Sequence, residues 1–204
     1  MIHPPHIYLA SNSPRRAELL QQIGVNFRVI AAPIDESAIP QETPEAHVTR
    51  LALEKARAGH ATLAGENRRP VLGTDTMVVA GDVAMGKPCD REDAIRMLQL
   101  LSGNTHRVLS AVALVDESEA WRLSISRVTF RTLTREECAA YWGTGEPEDK
   151  AGGYAVQGVG AFQAGTCSIP VVWWPGASDL GIVPFRQQTL TVVPLKSSLR
   201  SHCG

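Results

Sequence analysis

Apolar and polar positions along the chain alternate between two periods, one fitting strands and the other helices. A short apolar run, Ile7–Ala10, reads as a first strand. Ser13-Pro14 follows with N-cap and first-turn chemistry. A helix is therefore expected to about Ile23, with Leu19, Leu20 and Ile23 as its buried stripe and Gly24 as its left-handed stop. Phe27–Ala31 returns as a strand. Thr43-Pro44 opens a second helix ending near Gly59, along which Val48, Leu51, Ala52 and Ala56 recur at helical spacing. Lys55 falls beside that stripe. Val71–Ala80 is β-branched and apolar, long enough for a central strand, and Gly81-Asp82 after it carries hairpin chemistry.

The second half continues the alternation. Asp90-Arg91-Glu92-Asp93 starts a third helix with Ala94, Met97, Leu98 and Leu101 on its core face, and Gly103 closes it. Two long strand candidates follow, His106–Val115 and Trp121–Leu133. Thr134 and Glu137 form a capping box for a short helix through about Tyr141. Gly143–Gly153 reads as a loop and Tyr154–Gly158 as another short strand. Helices alternating with strands, plus a hairpin, predict an α/β fold with a mixed sheet. From about Gly165 the texture changes. Prolines flank Val171, Val172, Trp173 and Trp174, and the one acidic side chain after Asp149 is Asp179. This tail is expected to be irregular or packed differently from the rest.

Composition narrows the class. With 204 residues, 44% of them hydrophobic, the chain suits a single globular domain that needs neither disulfide nor structural metal. Lys and Arg number 20 against 21 Asp and Glu, which argues against a chain built to coat a nucleic acid polymer, so phosphate contacts must be local. No run approaches the roughly 18 apolar residues of a membrane span, and Met1–Ala10 has no charged region leading into an apolar one. A cytoplasmic chain without membrane contact is expected. Cys89, Cys138, Cys167 and Cys203 contain no C-x-x-C pair, so zinc or redox spacing is absent.

Against this background a few residues carry chemistry. Ser11-Asn12-Ser13-Pro14-Arg15-Arg16 puts two guanidinium groups in the first turn of a helix. Free N–H donors and a positive dipole end point outward there, as a cradle for a polyphosphate would require; a solvated arginine pair is the alternative. Asp75, in Gly73-Thr74-Asp75-Thr76, lies inside an apolar run where a carboxylate costs several kcal/mol unless paired or bound to a cation. Asp35 and Glu36, in Pro33-Ile34-Asp35-Glu36, are further oxygen donors, and two carboxylates plus substrate phosphates would suit Mg²⁺. Lys55, Lys87 in Gly86-Lys87-Pro88 and Lys150 could each bring a point charge to phosphate, or be ordinary surface. Gln157 in Val156-Gln157-Gly158 offers an amide that can pair with a base edge.

Seven of these stretches together resemble the Maf family of nucleoside triphosphate pyrophosphatases. They are L-A-S-N-S-P-R-R at Leu9–Arg16, P-I-D-E at Pro33–Glu36, E-K-A at Glu54–Ala56, G-T-D-T at Gly73–Thr76, G-K-P at Gly86–Pro88, L-S-G-N-T-H at Leu101–His106 and D-K-A-G-G-Y-A-V-Q-G at Asp149–Gly158. The resemblance implies two lobes around a long, twisted mixed sheet with a central cleft, as in inosine-triphosphatase-like folds, usually as a homodimer. It implies hydrolysis of the α–β phosphoanhydride to a nucleoside monophosphate and pyrophosphate, with a divalent cation, Mg²⁺ or Mn²⁺. Asp75 matches the family's proton acceptor, and Glu36 with Asp75 are the implied metal ligands. Ser13, Arg15, Arg16, Lys55, Thr76, Lys87 and Gln157 match its substrate-binding positions. S-P-R-R, D-T and Q-G together resemble the branch acting on dTTP and UTP. Residues 163–204 depart from the family pattern, which a shifted reading frame or a different terminus would both explain. A nucleotide-binding regulator linked to septum formation, or an inactive product of the altered terminus, are the alternative readings.

Overall fold

In the computed structural model, which describes residues 5–65, 68–155, 164–168 and 189–190, the run Val71–Ala80 forms the central strand β3 with the expected bounds. The strands are β1 (Ile7–Ala10), β2 (Phe27–Val29), β3, β4 (Val83–Met85), β5 (Thr105–Val115), β6 (Glu119–Phe130), β7 (Ala164–Ser168) and β8 (Thr189–Leu190). They form one mixed sheet in the order β2-β1-β3-β5-β6-β7-β8, with β4 paired to β3. β1 runs parallel to β2 and β3, while β3 is antiparallel to β4 and β5. The helices are α1 (Pro14–Gln22), α2 (Pro44–Ala61), α3 (Arg91–Leu101) and α4 (Arg135–Trp142). The described residues divide into two compact units, one of residues 5–85 and 107–126, the other of residues 86–106, 127–155, 164–168 and 189–190.

In the first unit α2 lies on β3 and β1. Thr43 caps it by accepting from Ala46 N at 3.2 Å, and Pro44 tolerates the first turn because it has no N–H to satisfy. Val48, Ala52 and Ala56 pack with Val79, Leu109, Ala111, Ala113 and Val115, all nearly inaccessible. Gly73 sets how closely α2 approaches. A Cβ there would stand 2.1 Å from Ala52 O and 2.5 Å from Ala56 N, so helix backbone rests directly on strand backbone. The Gly81-Asp82 hairpin forms as expected, with Ala80 opposite Val83 and Gly81 at φ +57°.

In the second unit α3 packs on α4. Asp90 caps α3 through Asp93 N, and the Thr134–Glu137 capping box is complete in both directions. His106, Phe130 and Tyr154 form an edge-to-face trio with ring centroids 4.8 to 5.4 Å apart. His106 Nε2 lies 2.6 Å from the Tyr154 hydroxyl, its Nδ1 is buried without a partner among the described residues, and burial pushes its pKa down to about 4.

Three expectations need correction. The stripe assigned to α1 is not buried: Leu19 is 44% and Ile23 49% exposed, and no α1 residue is buried. Ile23 is the C-cap, beyond the last turn, and α1 makes only sparse contact with other elements among the described residues, so nothing covers its apolar side chains. Tyr154 and Ala155 form no strand; they follow a 3-10 turn, Ala151–Gly153, and the remaining residues of that expected strand lie outside the described set. β2 also ends two residues early, at Val29. Of the atypical segment 163–204 only β7 and β8 are described. β7 pairs antiparallel with both β6 and β8.

Candidate active site

The site residues gather at a gap in one edge of β3. Along that edge β1 pairs only as far as Ala10 opposite Gly73, and β4 begins only at Met85 opposite Val78. Thr74 to Met77 are therefore without a strand neighbour on that side among the described residues, although β5 pairs continuously on the other. After Ala10 the chain leaves β1 and turns into α1, which delivers Arg16 toward the gap.

Asp75 shares the α2-facing side of β3 with Gly73, two residues away. The close seating of α2 at Gly73 brings Lys55 over Asp75. Lys55 Nζ lies 2.8 Å from Asp75 Oδ1 and 2.8 Å from Glu36 Oε1. The Lys55 and Asp75 side chains are only 13% and 12% exposed, whereas Glu36 is 61% exposed. The carboxylate expected to need a partner thus has one, and a second carboxylate converges on the same ammonium.

Arg16 completes the cluster. Its guanidinium donates from Nη1 to Ser11 Oγ at 2.9 Å and from Nη2 to Thr76 Oγ1 at 3.3 Å. Burial lowers its pKa, and the nearby charges of Asp75 and Glu36 oppose that shift. Thr76 in turn faces Ser110 across the β3–β5 register, with hydroxyls 3.5 Å apart. Ser13 occupies the N-cap of α1, yet its side chain makes no capping bond, contrary to the usual use of such a serine. Arg15 donates from Nη1 to Glu18 at 2.9 Å, while its buried Nε has no partner among the described residues. Arg16 N and Ala17 N already donate to Ser13 O, so the unspent donors at this turn are the Ser13 hydroxyl and Arg15 Nε, which suit an anion.

Lys87 belongs to the other unit. It is exposed and makes no ion pair among the described residues. Its loop is fixed by Gly152 N donating to Gly86 O at 2.8 Å, which joins the G-K-P and D-K-A-G-G stretches. Gly152 and Gly153, at φ +71° and +68°, hold the left-handed backbone this turn needs. Lys150 pairs with Asp149. Gln157 lies outside the described residues. Asp35 points away from the cluster's chemistry, accepting from Ser37 N at 2.9 Å in a local turn that lowers its pKa. Ser11 and Ser110 are contributions that motif spacing did not single out. Ser11 lies within the first motif, but Ser110 is found only from strand register.

Among the described residues no three of His, Cys, Asp and Glu gather closely enough to enclose a metal. Glu36 and Asp75 are hard oxygen donors of the kind a divalent cation takes, and each also holds Lys55 Nζ at 2.8 Å.

Fold and site together define an α/β protein with basic groups converging beside a half-buried acid, an arrangement suited to a polyanionic substrate. The chain belongs to the Maf family: the model of the Maf-like protein family matches residues 6–165. It is 58% identical over 157 residues to a dTTP/UTP pyrophosphatase of Alkalilimnicola ehrlichii, covering 76% of this chain and 78% of that one. It is 52% identical over 155 residues to a dTTP/UTP pyrophosphatase of Escherichia coli O157:H7, with 76% and 78% covered. Among solved structures, the Staphylococcus aureus Ham1 protein is similar with a TM-score of 0.41 and 15% identity, over 61% of this chain and 71% of that one.

Proposed function

We infer that this protein hydrolyses dTTP and UTP to the nucleoside monophosphate and pyrophosphate. Family membership and relatives of that activity at 50% identity and above support the reading. The geometric observation that carries it is Asp75, held by Lys55 at 2.8 Å next to the half-buried guanidinium of Arg16. An acid paired with an ammonium in a half-buried position beside phosphate-binding cations has the means to take a proton from an attacking water.

In this mechanism Ser13, Arg15 and Arg16 hold the triphosphate on the first turn of α1, where the donors left unspent by the cap meet its oxygens. Lys55 adds a point charge, and Lys87 is a further substrate-binding position by the family motif. Asp75 accepts the proton of the water that attacks the α-phosphorus, and pyrophosphate leaves. Thr76 and Gln157 pair with the pyrimidine edge, so a base that leaves them unpaired is rejected. Glu36 and Asp75 would hold Mg²⁺ or Mn²⁺, whose chemistry when bound is neutralisation of phosphate charge and acidification of water. No described helix is long and apolar enough to cross a membrane. The proposal includes action as a cytoplasmic homodimer on free nucleotides rather than on a nucleic acid polymer.

The test is pyrophosphate release across a panel of nucleoside triphosphates, with and without Mg²⁺. Turnover of dTTP and UTP well above that of GTP and ITP is expected. A preference for the purine nucleotides would overturn the substrate assignment.

A further inference from the structure

Glu36 hangs from a long irregular segment. Residues 30–43, between β2 and α2, form neither helix nor strand, and such a stretch in a compact unit needs its own anchors. We propose that Arg50 is a positioning residue for catalysis: with Glu42 it clamps this segment onto α2 and so holds Glu36 at Lys55 and Asp75. This rests on the reading of the site as a dTTP and UTP pyrophosphatase.

The clamp is dense. Arg50 grips Glu42 with both prongs of its fork, Nε to Oε1 at 2.7 Å and Nη2 to Oε2 at 2.8 Å. Its Nη2 also donates to the carbonyl of Ser37, the residue after Glu36, at 3.0 Å. Its Nη1 donates to Glu54 on the next turn of α2 at 3.2 Å. Glu42 Oε2 receives Ile39 N at 3.4 Å and lies 2.9 Å from His47 Nδ1, which also stands 3.2 Å from Arg50 Nη2. The pair is sheltered, Arg50 being 20% and Glu42 9% exposed. The Arg50 fork holds the Glu42 pKa down at about 2, so the pair stays charged over the working range of an enzyme.

The backbone beside Glu42 also bears on this role. Gln41 adopts φ +64°, a left-handed conformation that costs a side-chain-bearing residue about 1–2 kcal/mol and persists where surrounding contacts impose it. The contacts of Glu42 are those constraints. Helix α2 thus serves the site twice: Lys55 supplies the cation, and Arg50, just over a turn earlier, fixes the loop that brings the second carboxylate to it.

The test is a double-mutant cycle of Arg50→Met and Glu36→Gln in the full chain, with kcat and KM for dTTP, beside hydrogen–deuterium exchange over residues 33–42. If Arg50 acts through Glu36, Arg50→Met lowers kcat/KM about tenfold or more in the wild-type background, as loss of a supporting partner typically does. In the Glu36→Gln background it then costs less than about twofold. Exchange over residues 33–42 rises in Arg50→Met. The same factor lost in both backgrounds would mean that Arg50 serves only stability and would overturn the proposal, as would unchanged exchange. Arg50→Lys keeps the charge without the fork, and an intermediate loss is expected; it carries the cycle if Arg50→Met fails to fold. Where Glu36→Gln falls below detection, or wild-type protein releases no pyrophosphate from dTTP, exchange alone decides the clamp. The second outcome sinks the enzymatic reading itself.

Discussion

Lys55 Nζ stands 2.8 Å from Asp75 Oδ1, joining α2 to the middle of β3 by a half-buried ion pair. Breaking one side of such a pair leaves the other charge uncompensated, at a cost of about 3 kcal/mol or more when burial is deep. Lys55→Met is therefore expected to lower the urea midpoint markedly. Asp75→Asn added to it should restore part of the loss, because the half-buried carboxylate left without its ammonium is then gone, and Glu36 is exposed enough to be solvated. A double variant as unstable as the sum of the singles would show that the two side chains do not interact.

The pair depends on a missing side chain. At Gly73 a Cβ would lie 2.1 Å from Ala52 O, so Gly73→Ala must push α2 away from β3. Overpacking of this kind costs roughly 1–3 kcal/mol, and the displacement also carries Lys55 off Asp75. Stability and dTTP turnover should both fall. Unchanged kinetics in a destabilised variant would show that the site tolerates movement of α2.

Arg16 should matter to binding through its fork. It reaches Ser11 and Thr76 with separate nitrogens, a geometry that lysine cannot copy. Arg16→Lys is expected to raise KM for dTTP about tenfold, the equivalent of one charge-assisted hydrogen bond. Steady-state kinetics with the two proteins checks this, and an unaltered KM would place Arg16 outside the substrate's reach.

The second unit predicts a pH effect on stability. Folded His106 titrates at about 4, below the 6.5 of an exposed histidine, because burial disfavours its charged form. Its contribution is complete above pH 6.5 and is lost as pH falls from 6.5 towards 4, since the unfolded chain takes up the proton first. The swing is on the order of 3 kcal/mol. Urea midpoints between pH 7.5 and 4.5 should fall more steeply for wild type than for His106→Phe, and parallel curves would contradict this.

Most of the scaffold was legible because its signals are local. The hairpin at Gly81-Asp82, the caps at Thr43, Asp90 and Thr134, and the bounds of β3 follow from neighbouring residues and appear as expected. Asp75 stood out for a similar reason, as a charge in an apolar run. What escaped was set by register and packing. No spacing rule links Thr76 to Ser110 or Arg50 to Glu42, and the apolar Leu19 and Ile23 stay exposed because α1 makes only sparse contact with other elements among the described residues. Gln157 cannot be placed, because it lies outside the described residues.

Asp75 is assigned the proton transfer, beyond holding Lys55 in place. The most direct measurement is pyrophosphate release from dTTP by Asp75→Asn beside wild type, with dTTP affinity measured separately by calorimetry. Turnover should fall about a thousandfold, within the roughly 10²- to 10⁴-fold that a positioned acid or base typically contributes, while affinity stays within a few-fold. Retained turnover, or loss of binding in step with turnover, would contradict the assignment.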